Sequence, residues 1–325
     1  MHRITLHKAT KGGSRPAARL RVYAVAGLVA SAGLVLAACG SSGGGSGGSP
    51  LNHKASKGSV VIGAANFYES DLLATIYQLA LEGKGVKATT KLNIGAREIY
   101  YPEVKRGSLT IVPEYNGALL TTSVDTTSTA ATTAQVDAAL KAKLPSSLEI
   151  LNASPAQDAD SVTVTQATAN KDHLKSIADL KKYASGMVFG GPPEFQTRSD
   201  GIPGLKKNYG LVFKSFKRTD ESSTITFLDL TNNKVQAADV FTTSPQVVTD
   251  HLVSLADPKF NFAAQNVIPL VYKAGVNATI TSTLNKISAD MTTNALLQMD
   301  KALVINHASY TQVAQGFLKA MGMSS

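Results

Sequence analysis

Hydrophobic patterning divides the chain into three regimes. Residues 22–37, VYAVAGLVASAGLVLA, form an uncharged apolar run of 16 residues. Residues 40–58 are mostly glycine and serine, with no period. From Ser59 onward, short β-branched runs alternate with segments of helical period. SVVIGAA (59–65) predicts a strand. Behind it Leu72, Leu73, Ile76, Leu79 and Ala80 share one face of a helix that Gly83 and Gly85 close. TTKLNI (89–94) predicts the next strand, GAREIYYPEVKRGS (95–108) a helix interrupted by Pro102, and LTIV (109–112) a third strand. SVTVT, GMVFG, VQAADVF and NVIPLV predict later strands, with helical patterns at 177–183 and 224–230 between them. After NVIPLV come only helices, at 280–291, 294–302 and 310–321. The Thr/Ser/Ala-rich span Thr121–Thr133 predicts a surface loop. A βαβα order of this kind predicts an α/β fold with a parallel or mixed sheet and helices on both faces.

The apolar run is short for a membrane span, which needs about 20 residues. Six basic residues and no acidic one lie in residues 1–38, so the segment fits a secretory signal, with a basic region, an apolar region and small residues at the cleavage point. Leu36-Ala37-Ala38-Cys39 is similar to the lipobox of bacterial lipoproteins and contains the single cysteine of the chain. That resemblance implies lipidation at Cys39, with residues 1–38 removed. Residues 39–58 would then be the lipidated cysteine and its tether, a coil with a root-mean-square span of roughly 25 Å. The expected location is the extracytoplasmic face of the cell membrane.

Removing residues 1–38 changes the charge. The whole chain carries 32 Lys+Arg and 23 Asp+Glu; the remainder keeps 26 basic residues, for a net +3. The basic balance belongs mostly to the targeting segment, and nucleic acid is not expected as a partner. Outside the signal and tether the histidines are His173, His251 and His307, none with a neighbour at metal-ligand spacing. No G-x-S-x-G elbow and no Walker A loop occurs, so neither enzyme activity, metal nor cofactor is expected.

Three loops place unusual residues where a crevice would form beyond the carboxyl ends of strands. They are ANFYES (65–70), VPEYNGALL (112–120) and GGPPEFQTRSDGIPGLKKNYG (190–210), the last too rich in Gly, Pro and charge for a regular element. Together with AADVFTTSP and AQNVIPLV, and in the same order from about Ser59 to Met321, these motifs resemble the substrate-binding lipoproteins of osmoprotectant ABC importers, the glycine betaine, choline and carnitine family. The resemblance implies a two-lobed, type II periplasmic-binding-protein fold that closes on its ligand like a hinge. One lobe would be residues 59–158 plus 268–325 and the other 159–267. The chain would cross near SPAQDADSV and return near AQNVIPLV.

By the same resemblance, Asn66 sits on the crevice floor, Arg198 holds a ligand carboxylate, and Tyr115, Phe241 and Thr242 belong to the binding wall. Departures from the family pattern shape the expected ligand. Relatives with tight betaine binding have an Asp and a Tyr in a D-x-Y-x-E-Y run; here that run is Thr110-Ile111-Val112-Pro113-Glu114-Tyr115. Gln265 replaces a cage tyrosine and Ala65 a lysine, and Arg97 is available as a second anion contact. With cage positions Val112, Phe241 and Gln265, the expectation is weak binding of glycine betaine and a ligand with an anionic group for Arg198. The functional expectation is a monomeric, lipid-anchored solute-binding protein that delivers a small quaternary-amine or other polar solute to an ABC permease. The alternative is a surface lipoprotein that uses the same fold as a sensor or adhesin.

Overall fold

The computed structural model describes residues 59–323. The proposed signal, Cys39 and the tether lie outside the described residues. The chain opens with β1 (Val60–Gly63), buried at every position as a central strand covered on both faces must be. Helix α1 (Tyr68–Glu82), β2 (Ala88–Lys91), α2 (Arg97–Lys105) and β3 (Ile111–Tyr115) follow. A short α3 (Asn116–Leu119) runs into a π-helical turn at Leu120–Val124, then α4 (Thr133–Lys143) and β4 (Leu148–Ile150). The chain then crosses to a second sheet. Its elements are β5 (Asp160–Thr165), α5 (Gln166–Asp172), β6 (Val188–Gly191), α6 (Ile202–Tyr209), β7 (Ser215–Arg218), α7 (Thr224–Thr231), β8 (Ala237–Phe241), α8 (Gln246–Thr249) and β9 (Leu252–Ser254). A second crossing leads into β10 (Val267–Tyr272), and α9 (Ala278–Asp290), α10 (Thr293–Val304) and α11 (Tyr310–Ala320) pack back onto the first sheet.

The two sheets repeat one design. Their strand orders are β2-β1-β3-β10-β4 and β7-β6-β8-β5-β9. In each, the first three strands are parallel, and the fourth runs antiparallel to both of its neighbours. That antiparallel strand is in both cases the one a crossing leads into, so each crossing is built into the sheet it enters. Pro113 and Pro269 lie opposite each other in the β3–β10 ladder, which works because neither is asked for an N–H there. Pro113 also leaves nothing to donate toward β1, whose pairing with β3 stops at Ile62–Ile111.

The crossings are bonded to each other. Ser154 N–H donates to the Val267 carbonyl (2.9 Å), Val267 N–H to Ala156 (3.1 Å) and Asp158 N–H to Gln265 (3.1 Å). Asn266 ties this ladder to the first lobe: its Nδ2 donates to the Ser154 carbonyl (2.9 Å), its Oδ1 accepts from the Thr133 hydroxyl (2.7 Å), and its N–H donates to Asn116 Oδ1 (2.7 Å). A Cβ on Gly117 would stand 2.4 Å from the Ala264 carbonyl, so only glycine lets the EYNG turn approach this crossing.

Several expectations shift. Helix α2 continues through Pro102. The GGPP loop contains a 3₁₀ turn at Pro193–Gln196 and all of α6, whose Pro203 falls in the first turn, where a missing N–H is harmless. Thr121–Thr133 is loop only in part: it begins within the π-helical turn and ends at Thr132, whose side chain caps α4. His173, His251 and His307 all have positive φ (54°, 52° and 55°).

Candidate functional site

One cavity, of about 40 Å³, lies between the lobes at the carboxyl ends of β1, β3 and β8 and beside the crossings. Six of the seven predicted binding residues line it: Asn66, Arg97, Tyr115, Arg198, Phe241 and Gln265. Thr242 does not. It is exposed and serves the first crossing, accepting from the Ala159 N–H (2.9 Å) through its hydroxyl and donating its own N–H to the Ala159 carbonyl (2.9 Å). Asn66 is exposed and lines the cavity together with a second, open cavity at the cleft mouth, so it is a rim residue rather than a floor residue. Val112, read as a vacated cage position, is fully buried in the core of the first lobe and does not face the cavity.

The arginines are already matched. Arg97 is held in a fork against Glu114, with Nε to Oε1 at 2.9 Å and Nη2 to Oε2 at 3.0 Å; Tyr100 adds a hydroxyl to Glu114 Oε1 (2.8 Å) and Arg97 Nη1 donates to Thr122 (3.2 Å). Both members are buried, Glu114 completely. Arg198, from the second lobe, makes the same fork with Glu98 at the start of α2 in the first, Nε and Nη2 each 3.0 Å from a carboxylate oxygen. Burial opposes ionisation of Glu98, but the hydrogen bonds and charge of Arg198 outweigh it and hold the carboxyl below its ordinary range. All three nitrogens of Arg97 are engaged, and the charge of Arg198 is already balanced by Glu98 through Nε and Nη2, its Nη1 lying outside the pair.

The carboxyl groups, in contrast, are in excess. Asp158, Asp160, Asp200 and Glu221 line the cavity, and none forms an ion pair among the described residues. Their partners are neutral: the Thr243 N–H for Asp158 (3.0 Å), the Gln265 amide for Asp160 (2.8 Å) and the Thr121 hydroxyl for Asp200 (2.6 Å). Glu221 shares a hydrogen bond with Glu194. Burial, and then the neighbouring acid, pushes Asp158, Asp200 and Glu221 upward; for Asp158 that neighbour is Glu69 and for Asp200 it is Asp160. Asp239, beneath them on β8, rises for the same reasons.

Aromatic rings complete the walls. Phe67 lies 5.9 Å from Tyr115 and 5.2 Å from Phe241, centroid to centroid, so rings from both lobes meet. Tyr100 and Phe195 line the same space. Below them the Tyr115 hydroxyl donates to Glu69, and the Thr243 hydroxyl reaches Glu69 from the second lobe (2.7 Å). Sequence reasoning passed over Phe67, Phe195 and all four cavity acids. The signal for two of them was Asp158 and Asp160 at a spacing of two within the crossing itself.

A profile described as the substrate-binding domain of the ABC-type glycine betaine transport system matches residues 58–320. The chain belongs to this family. Members of such a family bind solutes for an importer and hand them to its permease; they are not enzymes. The glycine betaine-binding protein YehZ of Escherichia coli is 27% identical over 276 residues, 81% of this chain and 90% of the relative. A Helicobacter pylori protein, named as ergothioneine transport permease/ergothioneine binding protein EgtU, is 23% identical over 78% of this chain, which spans only 46% of that longer relative. Among solved structures, a glycine betaine/carnitine/choline ABC transporter protein superposes with a TM-score of 0.62 at 22% identity, covering 81% of this chain and 98% of the other. The shared fold is two-lobed. No helix among the described residues is long and apolar enough to cross a membrane.

Proposed function

We propose that this family member captures a small organic cation of the quaternary-ammonium type between its lobes and delivers it to an ABC permease, as a monomer held at the extracytoplasmic face by a lipid on Cys39. One observation carries the ligand class: four cavity carboxyls have no cationic partner, while both cavity arginines are committed to Glu114 and Glu98. A buried carboxylate without counter-charge is costly, and burial with neighbouring acids pushes Asp158, Asp200 and Glu221 toward their protonated forms. A cation placed among them supplies the missing charge. An N-methylated head cannot donate ordinary N–H hydrogen bonds, and the faces of Phe67, Tyr100, Tyr115 and Phe241 attract it, by about 0.5–2 kcal/mol for a well-placed ring. The names of relatives that bind glycine betaine and choline support the same chemistry. The anchor rests on Leu36-Ala37-Ala38-Cys39 and the glycine-serine run behind it.

Calorimetry with tetramethylammonium, choline and acetate tests the reading. Because a bound cation lowers the carboxyl pKa values, binding releases protons, and the enthalpy depends on the ionisation heat of the buffer. Affinity therefore rises with pH through the range in which the free site is protonated. Preference for acetate over tetramethylammonium overturns the proposal.

A further inference from the structure

Arg198, which lines the cleft, already holds a carboxylate supplied by the protein itself. Glu98 enters from the first turn of α2 in the first lobe, half-exposed, and fills the fork of Arg198, which belongs to the second lobe and is largely buried. Both Nε and Nη2 of the guanidinium are engaged at 3.0 Å, the bidentate arrangement a carboxylate makes best. The partners sit on opposite lobes, and other contacts close the same seam: the Thr121 hydroxyl donates to Asp200 (2.6 Å) and the Ser199 hydroxyl to the Thr121 carbonyl (2.7 Å). The one other cavity guanidinium, Arg97, is bound in the same way to the completely buried Glu114, so it offers no substitute fork.

We infer that Glu98 is a specificity-determining residue: it completes the Arg198 fork on closure and thereby selects cationic solutes that lack a carboxylate over zwitterions that carry one. The inference rests on the cleft being a cation site, as proposed above. A solute with a cationic head and a hydroxyl lets the lobes close with the Glu98–Arg198 pair intact. A solute with the same head and a carboxylate must either displace Glu98 or share, through Nη1, a guanidinium whose charge Glu98 already balances. In the second case two carboxylates meet one positive charge, in a cleft also lined by Asp160, Asp200 and Glu221.

Choline and glycine betaine form a matched pair of probes, since they share the trimethylammonium head and differ by hydroxyl against carboxylate. Calorimetry on the purified wild-type protein and Glu98→Gln measures both. Hydrogen bonds to charged groups are strong enough that the wild type should favour choline by about tenfold or more, and the variant should move that ratio toward betaine by at least about tenfold. Glu98 is half-exposed and its glutamine variant keeps the side-chain shape, so unliganded thermal unfolding should stay close to wild type. Equal affinities in the wild type, a wild-type preference for betaine, or a choline-to-betaine ratio unchanged by Glu98→Gln overturns the role of Glu98 while leaving the cation site standing. Binding of neither probe, nor of tetramethylammonium, overturns the cation site and this inference with it.

Discussion

Asp300, on α10, should respond most sharply to a single substitution. Its side chain is fully buried, neither carboxyl oxygen has a hydrogen-bond partner, and nearby lie Glu69 of α1, Asp158 of the crossing and Thr243 of the second lobe. Burial raises its pKa from an ordinary 3.8 to about 8; the nearby Glu69 and Thr243 side chains work against this, and the repulsion of Asp158 adds to it. The sign follows from linkage. Between pH 3.8 and about 8 the folded protein keeps a proton that the unfolded chain has lost, so stability falls with rising pH by about 1.4 kcal/mol per pH unit and levels off above 8. By pH 7 the loss from this one group is about 4 kcal/mol. Asp300→Asn is neutral throughout and removes it. The new amide cannot direct both its N–H donors and its oxygen correctly among Glu69, Asp158 and Thr243, and one polar group left unpaired costs about 1–3 kcal/mol at every pH. The net gain at pH 7 is then about 1–3 kcal/mol. The constant penalty cancels when two pH values are compared, so the variant's advantage should grow by about 4 kcal/mol from pH 5 to pH 8. Urea unfolding followed by circular dichroism at half-unit pH intervals measures this directly. An advantage that stays flat with pH would refute the assignment of a retained proton to Asp300.

Three further outcomes follow from named contacts. Arg97→Ala leaves Glu114 buried without its counter-ion and should destabilise the domain by about 3–5 kcal/mol in denaturant unfolding; lost ligand binding at unchanged stability would contradict the structural role of the pair. Phe67→Ala removes the ring that meets both Tyr115 and Phe241, and should weaken choline binding by about 2- to 30-fold by calorimetry, with no change counting against an aromatic wall. Cys39→Ala should release the protein from the membrane fraction with its folded stability unaltered, and retention like wild type would remove the lipid anchor.

Local patterning was enough for the architecture. VVIG contains too little polar surface for anything but a buried strand, and the 3.6-residue period of Leu72, Leu73, Ile76 and Ala80 specifies the helix packed against it. The loops around Asn66 and Arg198 were legible too, whereas Pro113, Glu114 and Tyr115, read as loop, continue β3 because neighbouring β10 pairs with them. Charge state and pairing were not legible. Nothing in the spacing of Glu98 and Arg198, or of Arg97 and Glu114, says that each arginine meets its own carboxylate. These pairs join residues 100 and 17 positions apart, and only the folding of the lobes sets the partner. Asp158, Asp200 and Glu221 likewise look like ordinary surface acids until the crossings and the second sheet remove them from water. Sequence determined which residues surround the cleft; the low dielectric and the pairings that exist only in three dimensions decided that its arginines are matched and its acids are not.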